Sequence, residues 1–301
     1  MVSDSAMSEP RVVWINGTLE PAEKALLTVT DRSFQLGDGV FETLRVVGGG
    51  VLELSVHVNR LKASAAVLAI ALPDDLERCL AQAIAMVCAA NGLHSAGSQV
   101  AVRVTASRGP VDGRALLPPD EVTANLVVQA WPVDPPPAEL LKRGLRLDIS
   151  EVRRDPADPL ARVKTTSRAE LVYARLEAHR HGADEALLLT TDGYLAEATS
   201  ASLFLVEGMG LATPSLDCGI LVSTTREWVI SAGAPRLGLA VRQERLTPGD
   251  LFAADEAFLA SSVAGIVPVT VAEGRPVGAG VPGAWTLRLR ALREDVASGT
   301  S

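Results

Sequence analysis

A proline-rich segment near the middle of the chain constrains the fold more than any other feature. Residues 132–137 read PVDPPP, with four prolines in six positions. Proline inside a helix removes a hydrogen bond and clashes with the preceding turn, so we expect an extended, stiff connector here. The segment predicts two domains, residues 1–131 and 138–301, joined by a linker at 132–137. The alternative is a kinked loop within one domain.

Composition excludes several classes of protein. The 301 residues suit about two domains, and the net charge of -8 argues against nucleic acid or an anionic membrane as the main partner. The longest apolar run, at 83–90, is far short of the ~18 residues that a membrane span needs. The first ten residues show no secretory signal, and three cysteines without metal-ligand spacing suit a reducing compartment. We therefore expect a cytoplasmic protein with no metal site.

Hydrophobic periodicity predicts a mixture of strands and helices. Alternating or β-branched runs predict strands at 11–15, 40–47, 51–54, 99–106 and 122–130. Helical spacing predicts helices at 55–70, 74–90, 167–182, 224–234 and 283–296. Hairpins mixed with helices indicate an α+β fold, with mixed α/β layers, rather than a regular doubly wound sheet.

Two ionisable residues stand out in the second half of the chain. Lys164, in RVKTTSRAEL, lies where a strand-like stretch meets a helix. It is either a surface charge or, if desolvated near other cations, a nucleophile toward carbonyl groups. Glu197, in GYLAEATSASLF, lies in a short strand after a turn. It is either an exposed edge residue, which is the default interpretation, or a buried carboxylate that needs a cationic partner.

Further candidates could hold an anion. Arg60 lies on the helix predicted at 55–70, where a solvated arginine is the simplest interpretation. Two segments are rich in hydroxyl side chains: residues 223–225 lie at the start of a predicted helix, and residues 261–262 follow a predicted strand. These hydroxyl groups act either as plain caps or as phosphate ligands. Taken together, an amine, a carboxylate, an arginine and a hydroxyl-rich helix start are the groups that pyridoxal 5'-phosphate requires from a protein.

The order of these motifs resembles the class IV, or fold-type IV, pyridoxal-phosphate-dependent aminotransferase family, which includes D-amino-acid and branched-chain aminotransferases and aminodeoxychorismate lyase. The resemblance covers nearly the whole chain. Its matching stretches are DRSFQLGDGVFETLRV (31–46), HVNRLKASAAVL (57–68), VKTTSRAEL (163–171), GADEALLLTTDGYLAEATSASLF (182–204), LATPSLDCGILVSTTREWVI (211–230) and ADEAFLASSVAGIVPV (254–269).

The resemblance implies a role for each matching residue. Lys164 matches the Schiff-base lysine of the family, and Glu197 matches the glutamate that keeps the pyridine nitrogen protonated. The phosphate-binding positions are matched by Arg60, Thr224, Thr225 and Ser262. The family also implies a homodimer, a smaller N-terminal α/β domain and a larger C-terminal domain that binds the cofactor.

The resemblance leaves two activities open. The first is transamination of a small amino acid or amine with a keto-acid acceptor. The alternative is an aminodeoxychorismate lyase that releases pyruvate, which Thr43 and Arg45 favour and Ser167 disfavours. Ala169 and Phe34 each replace a tyrosine found in relatives, so the resemblance does not specify the substrate. A third class, a cofactor-binding protein without catalysis, is disfavoured by the intact lysine and glutamate.

Substrate recognition is predicted to involve a loop at 107–116. This loop, SRGPVDGRAL, carries Arg108 and Arg114, and a substrate carboxylate needs a cation within hydrogen-bond reach. The alternative is that both arginines are solvated. Together with Phe34 and Thr43, they form the predicted substrate-binding set.

Overall fold

The computed structural model describes residues 12–113, 115–133 and 136–298, which fall into two compact units. The first unit holds residues 12–113, 115–133 and 163–167, and the second holds 136–162 and 168–298. The division lies in the proline-rich stretch, of which residues 134 and 135 lie outside the described residues. The segment 163–167 groups with the first unit because its backbone hydrogen bonds to a strand of that unit.

The first unit is an antiparallel sheet with two long helices. Its strands are β1 (Val12–Ile15), β2 (Thr18–Pro21), β3 (Gly39–Val47), β4 (Gly50–Val51), β5 (Gln99–Ser107) and β6 (Asn125–Pro132). Its helices are α1 (Arg32–Leu36), α2 (Leu54–Val67) and α3 (Leu76–Ala90). Within the described residues the strand order is β2-β1-β6-β5-β3-β4.

Alternation along the strands gives this sheet an apolar face. In β5, Val100, Val102, Val104 and Ala106 are buried, and the residues between them are partly exposed. Ser107, the last residue of the strand, is buried as well. The buried residues form one core with apolar side chains of α2 and α3. Burial at i, i+4 and i+7 or i+8 on α3 explains why its sequence forms an amphipathic helix on this face.

The second unit contains the remaining strands and helices. Its strands are β7 (Leu145–Arg154), β8 (Glu185–Thr190), β9 (Leu195–Ala198), β10 (Ser202–Glu207), β11 (Gly210–Pro214), β12 (Ala240–Glu244), β13 (Glu256–Ser261), β14 (Gly265–Ala272) and β15 (Arg275–Pro276). Its helices are α4 (Ala138–Arg143), α5 (Ala169–Arg180), α6 (Thr224–Trp228), α7 (Ala234–Arg236), α8 (Pro248–Ala253) and α9 (Ala284–Ser298).

Strand β9 closes a ring in the second unit. It pairs with β8 on one side and with β10 on the other, and the chain of pairings β8-β7-β14-β13-β10 completes the ring. Every residue of β8 is buried, which is typical of a strand covered on both faces. The stacked rings of Phe204 and Phe258, with centroids 4.9 Å apart, belong to an apolar cluster of this unit. The predicted α+β character is therefore confirmed.

Two predicted elements differ from the structure. The strand predicted at 51–54 is wrong beyond Val51, because Glu53 takes a left-handed conformation and α2 begins at Leu54. The helix predicted at 224–234 is interrupted, because the segment Val229–Gly233 forms a π-helix between α6 and α7. In the described part of the chain, no helix is long and apolar enough to cross a membrane.

Candidate active site

The segment that carries Lys164 is fixed by backbone hydrogen bonds to β3. Phe41 N donates to the Lys164 carbonyl at 3.0 Å, and Thr166 N donates to the Gly39 carbonyl at 2.8 Å. On the other side, Lys164 N donates to Ser64 Oγ at 3.3 Å. These bonds hold the lysine backbone from both sides, and the side chain is half-buried rather than solvated.

Close packing at Gly37 sets the position of the same segment. Gly37 has a positive φ of 67°, and a Cβ added there would lie 2.8 Å from Ser167 Cβ. Thr166 Oγ1 also donates to the Gly37 carbonyl at 2.8 Å. A residue with a side chain at Gly37 would push the lysine segment away, so only glycine suits this approach.

Two cations lie over the ring of Phe41. Lys164 Nζ is 4.6 Å from the ring centroid, and Arg103 Cζ is 3.8 Å from it. Arg103 lies directly across from Thr43 on the neighbouring strand, and its Nε donates to Thr105 Oγ1 at 3.2 Å. The structure thus places a guanidinium over the same aromatic ring as the predicted nucleophile, at a position that sequence reasoning missed.

Arg60 is bound to a buried carboxylate, so its interpretation as a solvated helical arginine is wrong. Its Nε donates to Glu42 Oε1 at 2.7 Å, and its Nη2 donates to Glu42 Oε2 at 2.6 Å. His57 Nδ1 lies 2.7 Å from the same Oε2. Burial opposes ionisation of Glu42, but the hydrogen bonds from Arg60 and His57 outweigh it and lower its pKa to about 2.

Glu197 is a buried carboxylate with a cationic partner, so the exposed-edge interpretation is wrong. The strand β9 buries it to 6% exposure. Arg154 donates through Nε, at 3.2 Å, and through Nη2 to Oε1, and Leu221 N donates to Oε2 at 3.1 Å. Arg168 lies nearby, and burial lowers its pKa although Glu197 acts in the opposite direction.

Two hydroxyl residues at the start of α6, Thr224 and Thr225, are buried. Ser223 is the N-cap and accepts from Arg226 N at 3.2 Å, as expected for a plain cap. Thr224 Oγ1 lies 3.2 Å from Ser262 Oγ. Thr225 Oγ1 is buried and has no hydrogen-bond partner among the described residues. A buried hydroxyl without a partner costs about 1–3 kcal/mol, which indicates a position for an acceptor from a bound group.

Arg108 has a structural environment. Its Nε and Nη2 donate to both carboxylate oxygens of Asp38, and Nη1 and Nη2 donate to the carbonyls of Ala69 and Leu68. Arg32 binds the same Asp38. The interpretation of Arg108 as a solvated loop charge is wrong, because it is only 8% exposed. Its predicted contact with a substrate carboxylate stays a prediction.

The other predicted substrate residues differ in their surroundings. Phe34 lies on α1 and is 77% exposed. Thr43 lies on the face of β3 that also carries Phe41. Arg114 lies outside the described residues.

Several residues of the site carry signals that sequence reasoning did not use. Glu42 alternates with Val40 and Leu44, so the period of a strand puts a carboxylate on the apolar face, where it needs a partner. His57 precedes Arg60 by three residues, which puts both on one side of a helix. No local pattern singles out Arg154, because its partner Glu197 is 43 positions away.

Comparison with known proteins connects both units to one family. The model of the amino-transferase class IV family matches residues 39–272. A putative branched-chain-amino-acid aminotransferase of Methanocaldococcus jannaschii is 33% identical over 285 residues, covering 94% of this chain and 96% of the relative. The D-alanine aminotransferase of Bacillus licheniformis is 28% identical and covers 96% of this chain and 98% of its own length.

Solved structures agree with this relationship. The branched-chain amino acid aminotransferase of Escherichia coli superposes with a TM-score of 0.90 at 27% identity, covering 97% of this chain and 96% of its own. A further branched-chain amino acid aminotransferase, solved with pyridoxamine 5'-phosphate, gives the same TM-score and coverage at 30% identity.

These comparisons support the aminotransferase and give no advantage to the lyase alternative. The predicted family, fold type, enzyme class and cofactor are confirmed. The chain belongs to the class IV aminotransferases, transaminases of fold type IV that use pyridoxal 5'-phosphate.

Proposed function

We propose that this chain transfers the amino group of a small amino acid or amine to a keto acid, with Lys164 as the covalent amine and Glu197 as the partner of the pyridine nitrogen. The observation that carries the proposal is the buried Glu197 held by Arg154. When bound, the cofactor supplies an aldehyde carbon that bonds an amine and a ring that takes up an electron pair.

Glu197 suits a protonated ring nitrogen. Arg154 occupies Oε1, whereas in the described part of the chain Oε2 accepts from one donor, Leu221 N. A carboxylate oxygen accepts two hydrogen bonds, so Oε2 can take a second donor. Because Arg154 offsets the cost of burying the carboxylate, Glu197 can favour a positive charge on that nitrogen.

Lys164 suits a residue that both bonds the cofactor and moves a proton. Its backbone is held by Phe41 and Ser64, and its ammonium lies over an aromatic ring. This placement limits the reach of Nζ. With the cofactor bound, Lys164 would supply the amine that bonds the aldehyde carbon and, when free, an amine that could accept a proton from the donor.

The groups that suit the phosphate are hydroxyls and a guanidinium. Thr225 Oγ1 needs an acceptor, and a phosphate oxygen supplies one. Thr224 and Ser262 add hydroxyl groups within hydrogen-bond distance of each other. Arg60 presents a guanidinium whose plane is fixed by Glu42. Each of these groups, taken within its own unit, suits an acceptor oxygen of a dianion.

Arg103 is the described arginine that best fits a substrate carboxylate. It shares the ring of Phe41 with Lys164, whereas Arg108 is bound to Asp38 and two carbonyls. We expect Arg103→Gln to raise KM for an amino acid by about tenfold or more and to spare an amine that lacks the carboxylate. The exposed Arg78→Gln is the matched control. Equal effects of Arg103→Gln on both donors would contradict this assignment.

The central test identifies the lysine and the donor. Borohydride reduction of the holoenzyme followed by peptide mapping should label Lys164, and Lys164→Ala should abolish turnover. Spectra of the bound cofactor should change on adding L-leucine, D-alanine or a chiral amine. A label on another lysine would refute the assignment of Lys164. Release of pyruvate from aminodeoxychorismate, without transamination, would instead establish the lyase.

We also propose a homodimer in a reducing cytoplasm. The first unit exposes large apolar side chains, which are Leu26, Val29, Phe34, Leu116 and Leu117. Such surface is typical of a subunit contact. All three cysteines are free thiols, which suits a reducing compartment. Sedimentation equilibrium should give twice the chain mass, and a monomer would refute the dimer.

A further inference from the structure

Glu42 lies on a face of β3 where apolar residues are the rule. Its neighbours on that face, Val40, Leu44 and Val46, all belong to the apolar core of the first unit. The carboxylate is 1% exposed, and burying an unpaired charge is costly. The chain therefore keeps a carboxylate here only together with its partners.

The contact between Glu42 and Arg60 is a two-point fork. Nε and Nη2 of the guanidinium each meet a different carboxylate oxygen, at 2.7 and 2.6 Å. Two parallel hydrogen bonds fix both the position and the plane of a guanidinium, which a single contact cannot do. The direction of Nη1 is thereby set by the carboxylate.

His57 holds the carboxylate from another side. Its Nδ1 lies 2.7 Å from Glu42 Oε2, and it is 1% exposed. Because His57 and Arg60 are three residues apart on α2, both reach β3 from the same helix face. Burial restricts the rotation of Glu42, so the fork has little freedom to reorient.

Attachment of α2 to β3 is the simplest role for this cluster, but it explains little. A buried ion pair is a weak source of stability, and apolar side chains of similar volume pack at least as well. Glu42 also removes one unit of net positive charge beside an arginine proposed to bind a dianion. The pair of Glu42 and Arg60 adds little stability and reduces the positive potential near Arg60. Its presence is explained if Glu42 orients the guanidinium of Arg60.

We propose that Glu42, held in place by His57, is a positioning residue that fixes the guanidinium plane of Arg60 toward the cofactor phosphate. This inference rests on the proposed function, in which Arg60 binds that phosphate. It makes a prediction of opposite sign to a purely electrostatic role. If Arg60 acts only as a charge, removing the negative charge of Glu42 should strengthen phosphate binding; if orientation matters, it should weaken it.

The test compares affinities for pyridoxal 5'-phosphate and for pyridoxal, measured by equilibrium dialysis on the chain stripped of cofactor. The measured quantity is the phosphate ratio, defined as the dissociation constant of pyridoxal divided by that of pyridoxal 5'-phosphate. This ratio isolates the contribution of the phosphate, because bonding to Lys164 contributes to both constants. We expect Arg60→Ala to reduce this ratio by about 10- to 100-fold. Glu42→Gln should reduce it by about 5- to 30-fold when Arg60 is present and by less than about twofold in the R60A background.

Two further variants separate positioning from folding. Glu77→Gln removes an exposed carboxylate that accepts from Ser55, and it should leave the ratio unchanged. Arg60→Lys keeps the charge without a fork, so it should reduce the ratio as Arg60→Ala does. If Glu42→Gln does not fold, Arg60→Lys serves as the test instead. A ratio for Arg60→Lys equal to that of the wild type would then overturn the inference.

Each outcome is decisive. An unchanged or larger ratio in Glu42→Gln overturns the inference, and so does an equal loss with and without Arg60, which would mean a structural role. If Arg60→Ala leaves the ratio unchanged, the phosphate assignment of Arg60 fails and the inference falls with it. If Arg60→Ala reduces the ratio and Glu42→Gln does not, the positioning role of Glu42 is refuted while the assignment of Arg60 to the phosphate stands.

Discussion

Replacing Arg154 by methionine tests how Glu197 is kept in place. The two side chains are 12% and 8% exposed, so the ion pair is largely withdrawn from water. Methionine retains much of the apolar stem but removes both hydrogen bonds to Oε1. Among the described residues, the hydrogen bond from Leu221 N would then be the one left to Glu197.

The expected loss is about 3 kcal/mol in the free energy of unfolding near neutral pH. Removing one partner of a buried pair costs ~3–5 kcal/mol because the other charge is left without compensation. The lower end applies, since Arg168 lies close enough to interact with Glu197. Loss of the contact between Arg154 and the exposed Glu170 adds little.

Urea unfolding of the cofactor-free chain near neutral pH measures this loss. The matched control is Arg153→Met, because Arg153 is an exposed neighbour that donates to the Ser150 carbonyl. The control should change stability by roughly 0.5 kcal/mol or less.

A double variant completes the test. Arg154→Met combined with Glu197→Gln should recover much of the stability, since replacing both charges leaves no uncompensated ion. The reasoning is refuted if Arg154→Met is as stable as Arg153→Met, or if the double variant is no more stable than Arg154→Met.

Three further predictions concern catalysis, pH and backbone strain. Glu197→Gln should slow turnover by about 100-fold or more with little change in cofactor content, because an amide cannot stabilise a charge on the ring nitrogen. Single-turnover kinetics would measure this loss, and turnover at the wild-type rate would contradict the prediction. Burial opposes ionisation of Asp38, but hydrogen bonds from Arg108 and Arg32 hold its pKa below the usual 3.8. In urea unfolding, the loss of unfolding free energy caused by Arg108→Gln should therefore be full above about pH 3.8 and should decline below it. A loss that stays constant with pH would contradict this linkage. Gly278→Ala, at φ 54° and with its added Cβ overlapping the Asp255 carbonyl oxygen, should cost at least about 2 kcal/mol in thermal unfolding, and a neutral effect would contradict the close approach.

The sequence alone was sufficient for the family, the cofactor and most elements. Strands β5 and β6 and helices α2 and α3 were predictable because burial along each follows a local period, 2 for a strand and about 3.6 for a helix. The motif series is likewise local, since the residues of each motif are close in sequence. Local departures, such as the left-handed Glu53 and the π-helix at Val229–Gly233, left no periodic signal.

Only the tertiary structure decided which charges are paired. The same arginine type is a phosphate candidate at position 60, a carboxylate partner at position 154 and a structural tie at position 108. Arg108 and Asp38 are 70 residues apart, and strand pairing brings them together. Desolvation and ion pairing depend on neighbours in space, so the role of a charged residue is fixed only when the chain folds around it.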